Sequence, residues 1–556
     1  MPSNPLPAPQ PPASSAVQAA QNFVEHQNDE LREMPRVMIP HDGYKVSASA
    51  ESLFKAIAES RRIFYRGGAV VELVNDENEY VSQPLIAAAA VTRFEKYVCF
   101  VKPGKGNAAP SLTNITEQQA KLYLKSEAAQ TCLPKLNGIV HCPMLVEKDG
   151  QLIEVNQGYN ADTGLYVTSA QPPDNVDLEF AVGLLTGILD GFDFVTPGDR
   201  SRAIASLITP ALKLGGFIKG PVPVDVAEAN ASQSGKTYRQ KMIAAIYNQK
   251  LAVVTKKTGG GVGGMEESFC EHLIKGRVFI QFDNVRGKLD SQFLESFLTA
   301  DGSFLARVPN LGSMNVDPSK FILFISSNGF ETTKDLANRA SIIGIRKRLN
   351  YQFERPQGME LLEFLSFIKT ALIGSVFAVI REWHGQGKPK TNDTRHDFRE
   401  WCQTLDWIVQ NIFHLAPVMD GHDGAKQRAA NSSLTFLRAL AIKLNERHAF
   451  GQALSAGDIS QFCLEEDIEI PGVKIEDQTL EQGPQQIGKM MKPLFKEAEE
   501  LTFGEFRVVR TSQQQLSDSG NMFDAYRYAF SLVSTPAVPF TVPTASPATL
   551  GGAVNV

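Results

Sequence analysis

Residues 221–237 read Pro-Val-Pro-Val-Asp-Val-Ala-Glu-Ala-Asn-Ala-Ser-Gln-Ser-Gly-Lys-Thr, and the fold turns on them. Val222, Val224 and Val226 alternate as in a strand, and Ala227 and Ala229 are small enough for close packing. A polar loop of Asn230, Ala231, Ser232, Gln233 and Ser234 leads into Gly235-Lys236-Thr237. Met242, Ile243 and Ile246 then share one helical face. Strand, loop and helix around G-K-T match the phosphate-binding pattern G-x-x-x-x-G-K-[ST], except that Asn230 stands where the first glycine belongs. In such a loop, backbone N–H groups curl round a polyphosphate and the following helix presents its positive end. Gly235 would admit the phosphates, Lys236 would reach the β and γ oxygens, and the Thr237 hydroxyl would ligate Mg²⁺. Asparagine tolerates left-handed backbone, so Asn230 costs about 1 kcal/mol. For the tetrapeptide alone, an ordinary Ser/Gly turn before a helix is the competing reading.

Three further signals follow in order. Val278-Phe279-Ile280-Gln281-Phe282-Asp283 is an apolar strand ending in a carboxylate that could help hold Mg²⁺; a buried strand before an Asp-Asn turn is the plainer alternative. Asn284 occupies the place where many ATPases carry a glutamate to polarise water, and Glu266, Glu267 and Asp290 are stand-ins among which spacing does not choose. Phe321 to Ser327 forms another apolar strand, closed by Asn328, whose amide could orient a hydrolytic water. Arg339 precedes the strand Ile342-Ile343-Gly344-Ile345, the station of an arginine that reaches a neighbour's nucleotide. Arg346, Lys347 and Arg348 form a second basic cluster, with Lys347 read as a solvated strand end. The candidate catalytic residues are therefore Lys236, Asp283, Asn284, Asn328 and Arg339, with Thr237 and Asp283 as metal ligands. The intervals from Lys236 to Asp283 and from Asp283 to Asn328 each leave room for one strand–helix unit.

In this order the residues resemble a known group. About 135–415 is similar to AAA+/superfamily-three-like helicase ATPases of phages, plasmids and mobile elements, of the primase–helicase or replication-protein type. The resemblance rests on Gly158-Tyr159-Asn160-Ala161-Asp162-Thr163-Gly164-Leu165, on Ala205-Ser206-Leu207-Ile208-Thr209-Pro210, and on Phe282-Asp283-Asn284-Val285. Arg307-Val308-Pro309-Asn310-Leu311-Gly312 and Glu400-Trp401 add to it. It implies an α/β AAA+ core in a homo-oligomer, a hexameric ring with ATP and Mg²⁺ between subunits and DNA in the pore. It also implies that Asn284 is a trait of the group. A hairpin over Arg307–Val316 would project into the pore, with Arg307 first and Lys320 second as DNA phosphate contacts. A surface hairpin with a charged stem is the bland counterpart.

The rest of the chain sets bounds. Its 556 residues suffice for three or four domains. No apolar run reaches the length of a membrane helix, and the first residues lack the pattern of a secretory signal. Cys99, Cys132, Cys142, Cys270, Cys402 and Cys463 contain no C-x-x-C pair, which fits a reducing cytoplasm and argues against zinc. A net charge of −6 confines any DNA contact to a local patch. The expected organisation is a Pro/Ala/Gln-rich disordered tail over 1–35, an N-terminal α/β domain over 36–175 and the P-loop AAA+ core over 176–355. A helical domain over 356–430, a winged-helix-like domain over 431–533 and a disordered tail over 534–556 complete it. Met359 to Trp383 reads as one helix. Gln485 to Ala498 reads as the third winged-helix helix, split or kinked at Pro493. Its Lys489, Lys492 and Lys496 could face DNA, while Glu497, Glu499 and Glu500 favour a protein contact equally. Gly259 to Gly264 is a mobile loop or a plain connector.

These features point to an ATP-dependent, ring-forming DNA helicase or replication ATPase of a mobile genetic element, with replication or element-encoded proteins as further partners. The alternatives are an AAA+ remodelling or defence ATPase acting on protein, and a DNA-binding scaffold with a decayed site.

Overall fold

The computed structural model describes residues 33–76, 79–106, 108–169, 171–229, 233–254, 264–308, 312–348, 355–473, 482–496, 498–516 and 522–533. Asn230, Ala231 and Ser232, most of the glycine run and the hairpin tip at 309–311 lie outside them, as do 1–32 and 534–556. The chain divides into two units, one ending at Ala430 and the other beginning at Asn431.

Six strands make the central sheet of the first unit: β1 (Asp193–Phe194), β2 (Val224–Ala229), β3 (Ala252–Val253), β4 (Phe279–Val285), β5 (Ile322–Asn328) and β6 (Ala340–Arg346). They lie in the order β1-β6-β2-β5-β4-β3. All pairings are parallel except the antiparallel edge β1–β6. Parallel strands covered on both faces are buried along their whole length, and every residue of β2 is buried, Asp225 and Glu228 included. The chain leaves β2 for the far edge at β3, returns through β4 and β5, then crosses β2 to β6. That reversal makes the carboxyl end of β2 a topological switch point, where sheets of this kind open a crevice for ligands.

Helices on one face bury a core that includes Leu207, Ile243, Val376 and Trp401. The helix Pro197–Leu214 contains Pro210, which breaks a rung of its backbone ladder. The Tyr247 hydroxyl inserts at the next rung, donating to the Leu207 carbonyl at 2.5 Å and accepting the Ala211 N–H at 3.3 Å. Two of the motifs meet here, since the Trp401 indole donates to the Thr209 hydroxyl at 2.9 Å. The segment expected as one helix from Met359 is two, Leu361–Phe367 and Lys369–Gly385, bent by 74°. Both halves touch the helix Lys236–Ile246, and the second also packs along Leu178–Gly187. Among the described residues no single helix is long and apolar enough to cross a membrane.

The other face buries a second core that joins Val224, Phe269 and Ile325 to Phe64, Val71, Leu73 and Ile139. The expected boundary near 175 is therefore not a break in packing. Part of the N-terminal module shares the core of the sheet, while Phe54, Phe94 and Tyr123 form a cluster of their own.

The second unit runs helix Ser432–Glu446, strand Ala453–Leu454, helix Ala456–Glu465, helix Gln482–Leu494, then strands Glu500–Phe503, Phe506–Leu516 and Met522–Leu532. The short strand pairs with the last one, which pairs with Phe506–Leu516. The third helix stops one residue after Pro493 instead of kinking there.

Candidate functional site at the carboxyl edge of the sheet

The loop after β2 enters its helix through two left-handed residues, Gln233 at φ 61° and Gly235 at φ 89°. Left-handed positions in a tight loop turn successive N–H groups toward one point. Among the described residues no side chain caps the first turn of Lys236–Ile246, which leaves its amides for an acceptor. The Ser234 hydroxyl is buried and has no partner among the described residues. An anion in the loop would supply both needs.

Lys236 starts the helix and is 8% exposed. Its ammonium donates to the Asn328 side-chain oxygen at 2.7 Å, joining the end of β5 to the loop after β2. Burial holds its pKa below the ordinary lysine range, and the Asp283 carboxylate opposes that shift. The Thr237 hydroxyl lies 2.9 Å from Asp283 Oδ1, so both expected metal ligands stand together at the end of β4. Lys236, Thr237, Asp283 and Asn328 thus meet at the carboxyl ends of three adjacent strands, around the switch point.

Ser326 was not singled out in the sequence and belongs to the same cluster. Its hydroxyl donates to Asp283 Oδ1 at 2.6 Å and accepts the Asn284 N–H at 2.8 Å. The signal was a pair of hydroxyls, Ser326 and Ser327, closing an apolar strand before Asn328. Asn284 sits at φ 49°, in a register shift of β4 against β5 between Phe282 and Val285. Asparagine tolerates that backbone, and the contact it makes to Ser326 is through its backbone N–H. Glu266 and Glu267 open the helix Met265–Lys275, and Asp290 precedes the helix Gln292–Thr299.

Arg339 ends the short helix Lys334–Asn338 at the amino end of β6. Val224 pairs with Ala340 and Ala229 with Ile345, so Arg339 stands at the opposite edge of the sheet from its own loop. Five strand residues separate the two levels, about 17 Å. Arg346 lies at the carboxyl edge, where it donates to the Val195 carbonyl at 3.0 Å.

The expected hairpin is present as Phe304–Val308 paired with Gly312–Val316. Ala306, Val308, Met314 and Val316 face inward, leaving Leu305, Arg307, Ser313 and Asn315 exposed with no carboxylate among them. Lys320 closes a short turn at the hairpin's foot, half-buried beside the Lys213 ammonium. Lys213 is itself buried and donates to three carbonyls, and burial lowers its pKa to about 8.

No family model matches this sequence, and no curated protein matches it. Among solved structures the chain is similar to the C-terminal region of NrS-1, at 12% identity and a TM-score of 0.30 over 86% of this chain and 98% of that one. It is also similar to SCCmec type IV Cch, an active helicase, at 12% identity and 0.28 over 85% and 97%. A third is JCV helicase, at 11% identity and 0.21 over 45% and 71%. Similarity of that size carries no weight on activity, which rests on the geometry of the site.

Proposed function

We propose that this chain is an ATP-hydrolysing motor acting on DNA, with its nucleotide at the carboxyl edge of β2. The observation that carries this reading is the convergence of Lys236, Thr237, Asp283 and Asn328 at the switch point of the parallel sheet. The phosphates of ATP would lie in the loop Asn230–Thr237 against the open helix N-terminus. Lys236 would exchange the Asn328 amide for phosphate oxygens, leaving Asn328 to orient the attacking water. The oxygen donors of Thr237 and Asp283 suit Mg²⁺, which is held by one or two protein oxygens together with phosphates and water. When bound, that ion neutralises charge on the phosphoryl oxygens. Ser326 would hold Asp283 in place. The station of Arg339 supports a role toward a neighbouring copy's nucleotide, and hence a ring of copies, hexameric by resemblance. The acid-free exposed face of the hairpin, with Arg307, supports contact with a DNA backbone. The resemblance to replication ATPases of mobile elements supports strand separation as the outcome.

The test is ATP hydrolysis with and without single-stranded DNA over a salt series. The reading predicts stimulation that fades steeply with salt and is lost in Arg307→Ala. Hydrolysis indifferent to DNA would favour action on protein, and no hydrolysis would favour a scaffold. Arg339→Ala subunits doped into wild type should depress the rate more than in proportion. A proportional decline contradicts action across an interface.

A further inference from the structure

The turn between the strands Ile63–Arg66 and Ala69–Asp76 touches the hairpin directly. Gly67 and Gly68 both have left-handed backbone, at φ 55° and 94°. The Gly67 carbonyl accepts the Asn315 N–H at 3.0 Å, and a Cβ on Gly67 would lie 1.9 Å from the Asn315 carbonyl oxygen. Glycine is therefore required there by conformation and by contact.

The neighbouring side chain is a buried cation. Arg66 is 3% exposed and has no carboxylate partner among the described residues. It donates to the carbonyls of Leu273, at 2.7 Å, and Ile274, at the carboxyl end of the helix Met265–Lys275. That end carries the negative pole of the helix, which compensates the guanidinium in place of an acid. Arg66 also donates to the Ser82 hydroxyl at 3.2 Å and lies 3.3 Å from the Met314 sulfur, on the second hairpin strand. Burial lowers its pKa to about 10, so it stays charged at neutral pH. On its other flank the hairpin touches the same helix, where the Cys270 thiol meets the Arg307 backbone. One guanidinium thus ties together the N-terminal module, a helix end and the strand opposite Arg307.

We propose that Arg66 and Gly67 are positioning residues for the hairpin, so that DNA contact at Arg307 is braced by, and transmitted to, the N-terminal module. The proposal rests on the reading of the hairpin as a DNA contact. Asn315 is pinned at the hairpin's lower half, while Arg307, paired with Ser313 nearer the tip, is left to project.

The test uses the full chain with Arg66→Met, Arg66→Lys and Gly67→Ala, each checked for folding by thermal melting. Folded Arg66→Met and Gly67→Ala should lose about tenfold in stimulation by single-stranded DNA, with the DNA-free hydrolysis rate within twofold of wild type. Arg66→Lys, which keeps a donor for the helix carbonyls, should recover part of it. Wild-type stimulation in folded Arg66→Met, alongside its loss in Arg307→Ala, overturns this inference and spares the function reading. A wild-type protein whose rate ignores DNA overturns both. Hydrogen exchange on the wild type needs no variant to fold: DNA should slow exchange in Ile63–Arg66 and Ala69–Asp76 together with the hairpin. Slowing confined to the hairpin overturns the proposal.

Discussion

The strand Val224–Ala229 and the helix Lys236–Ile246 meet in two polar clusters of opposite character. At the edge, Lys236 and Thr237 hold Asn328 and Asp283 through single hydrogen bonds that a phosphate and a cation could replace. One turn inward, Asp225 is fully enclosed, paired with Arg239 and hydrogen-bonded by Ser206 at 2.5 Å and Gln240 at 3.0 Å. Gln240 is tied in turn to Gln281 at 2.8 Å and to the Ile325 carbonyl at 2.9 Å. The outer cluster is built for exchange and the inner one for permanence. The outer partners Asp283 and Asn328 are exposed, whereas Asp225, Arg239 and Gln240 are buried.

The sharpest way to break this contrast is to strip the inner cluster. Asp225→Ala leaves Arg239 buried and uncompensated, and chemical denaturation should show a loss of about 3–5 kcal/mol. A loss below 1 kcal/mol would mean that the inner network is not structural. Asp283→Asn should do the reverse, lowering hydrolysis about 100-fold with the melting temperature unmoved.

A third prediction concerns acid. His396 and His422 stack in the first unit at a centroid distance of 5.8 Å, and burial lowers the pKa of His396 to about 4 and that of His422 well below its usual value. Their folded pKa values are depressed, so between pH 6.5 and 4 the unfolded chain binds more protons. Stability contributed by the neutral rings is present above pH 6.5 and falls as pH drops through that window. For His396 alone the loss reaches about 2 kcal/mol by pH 5, and His396→Asn should flatten the pH profile of denaturation. An unchanged profile would contradict a neutral buried ring.

The smallest effect is expected at the seam between the clusters. Ser326→Ala removes the half-buried hydrogen bond to Asp283 and the one accepted from the Asn284 N–H, at about 1–2 kcal/mol of stability. Hydrolysis should fall about tenfold through misplacement of Asp283. A variant with normal hydrolysis would remove Ser326 from the site.

The outer cluster was largely legible in the sequence, because Asp283 and Asn328 end apolar strands and Lys236 and Thr237 open a helix that follows one. Lys236, Asp283 and Asn328 needed only local periodicity and order. The hairpin was reached through the resemblance, with Asn310-Leu311-Gly312 as the turn chemistry. What escaped has its partner far along the chain. Glu228 is buried in a paired fork with Arg428 and accepts the Phe330 N–H at 2.9 Å, yet nothing near residue 228 announces an arginine 200 positions away. Arg66 escaped because its compensating charge is a helix end, which has no residue type. The helix break at Ile368 was hidden because both halves keep helical periodicity.

The most direct test of the central claim is the steady-state rate of Mg²⁺-dependent ATP hydrolysis by Lys236→Ala beside wild type, both verified as folded. The convergence at the carboxyl edge predicts a rate at least about 100-fold lower with an unchanged melting temperature. Hydrolysis at the wild-type rate would contradict it, because no ATPase organised around this cluster could lose its ammonium and keep its speed.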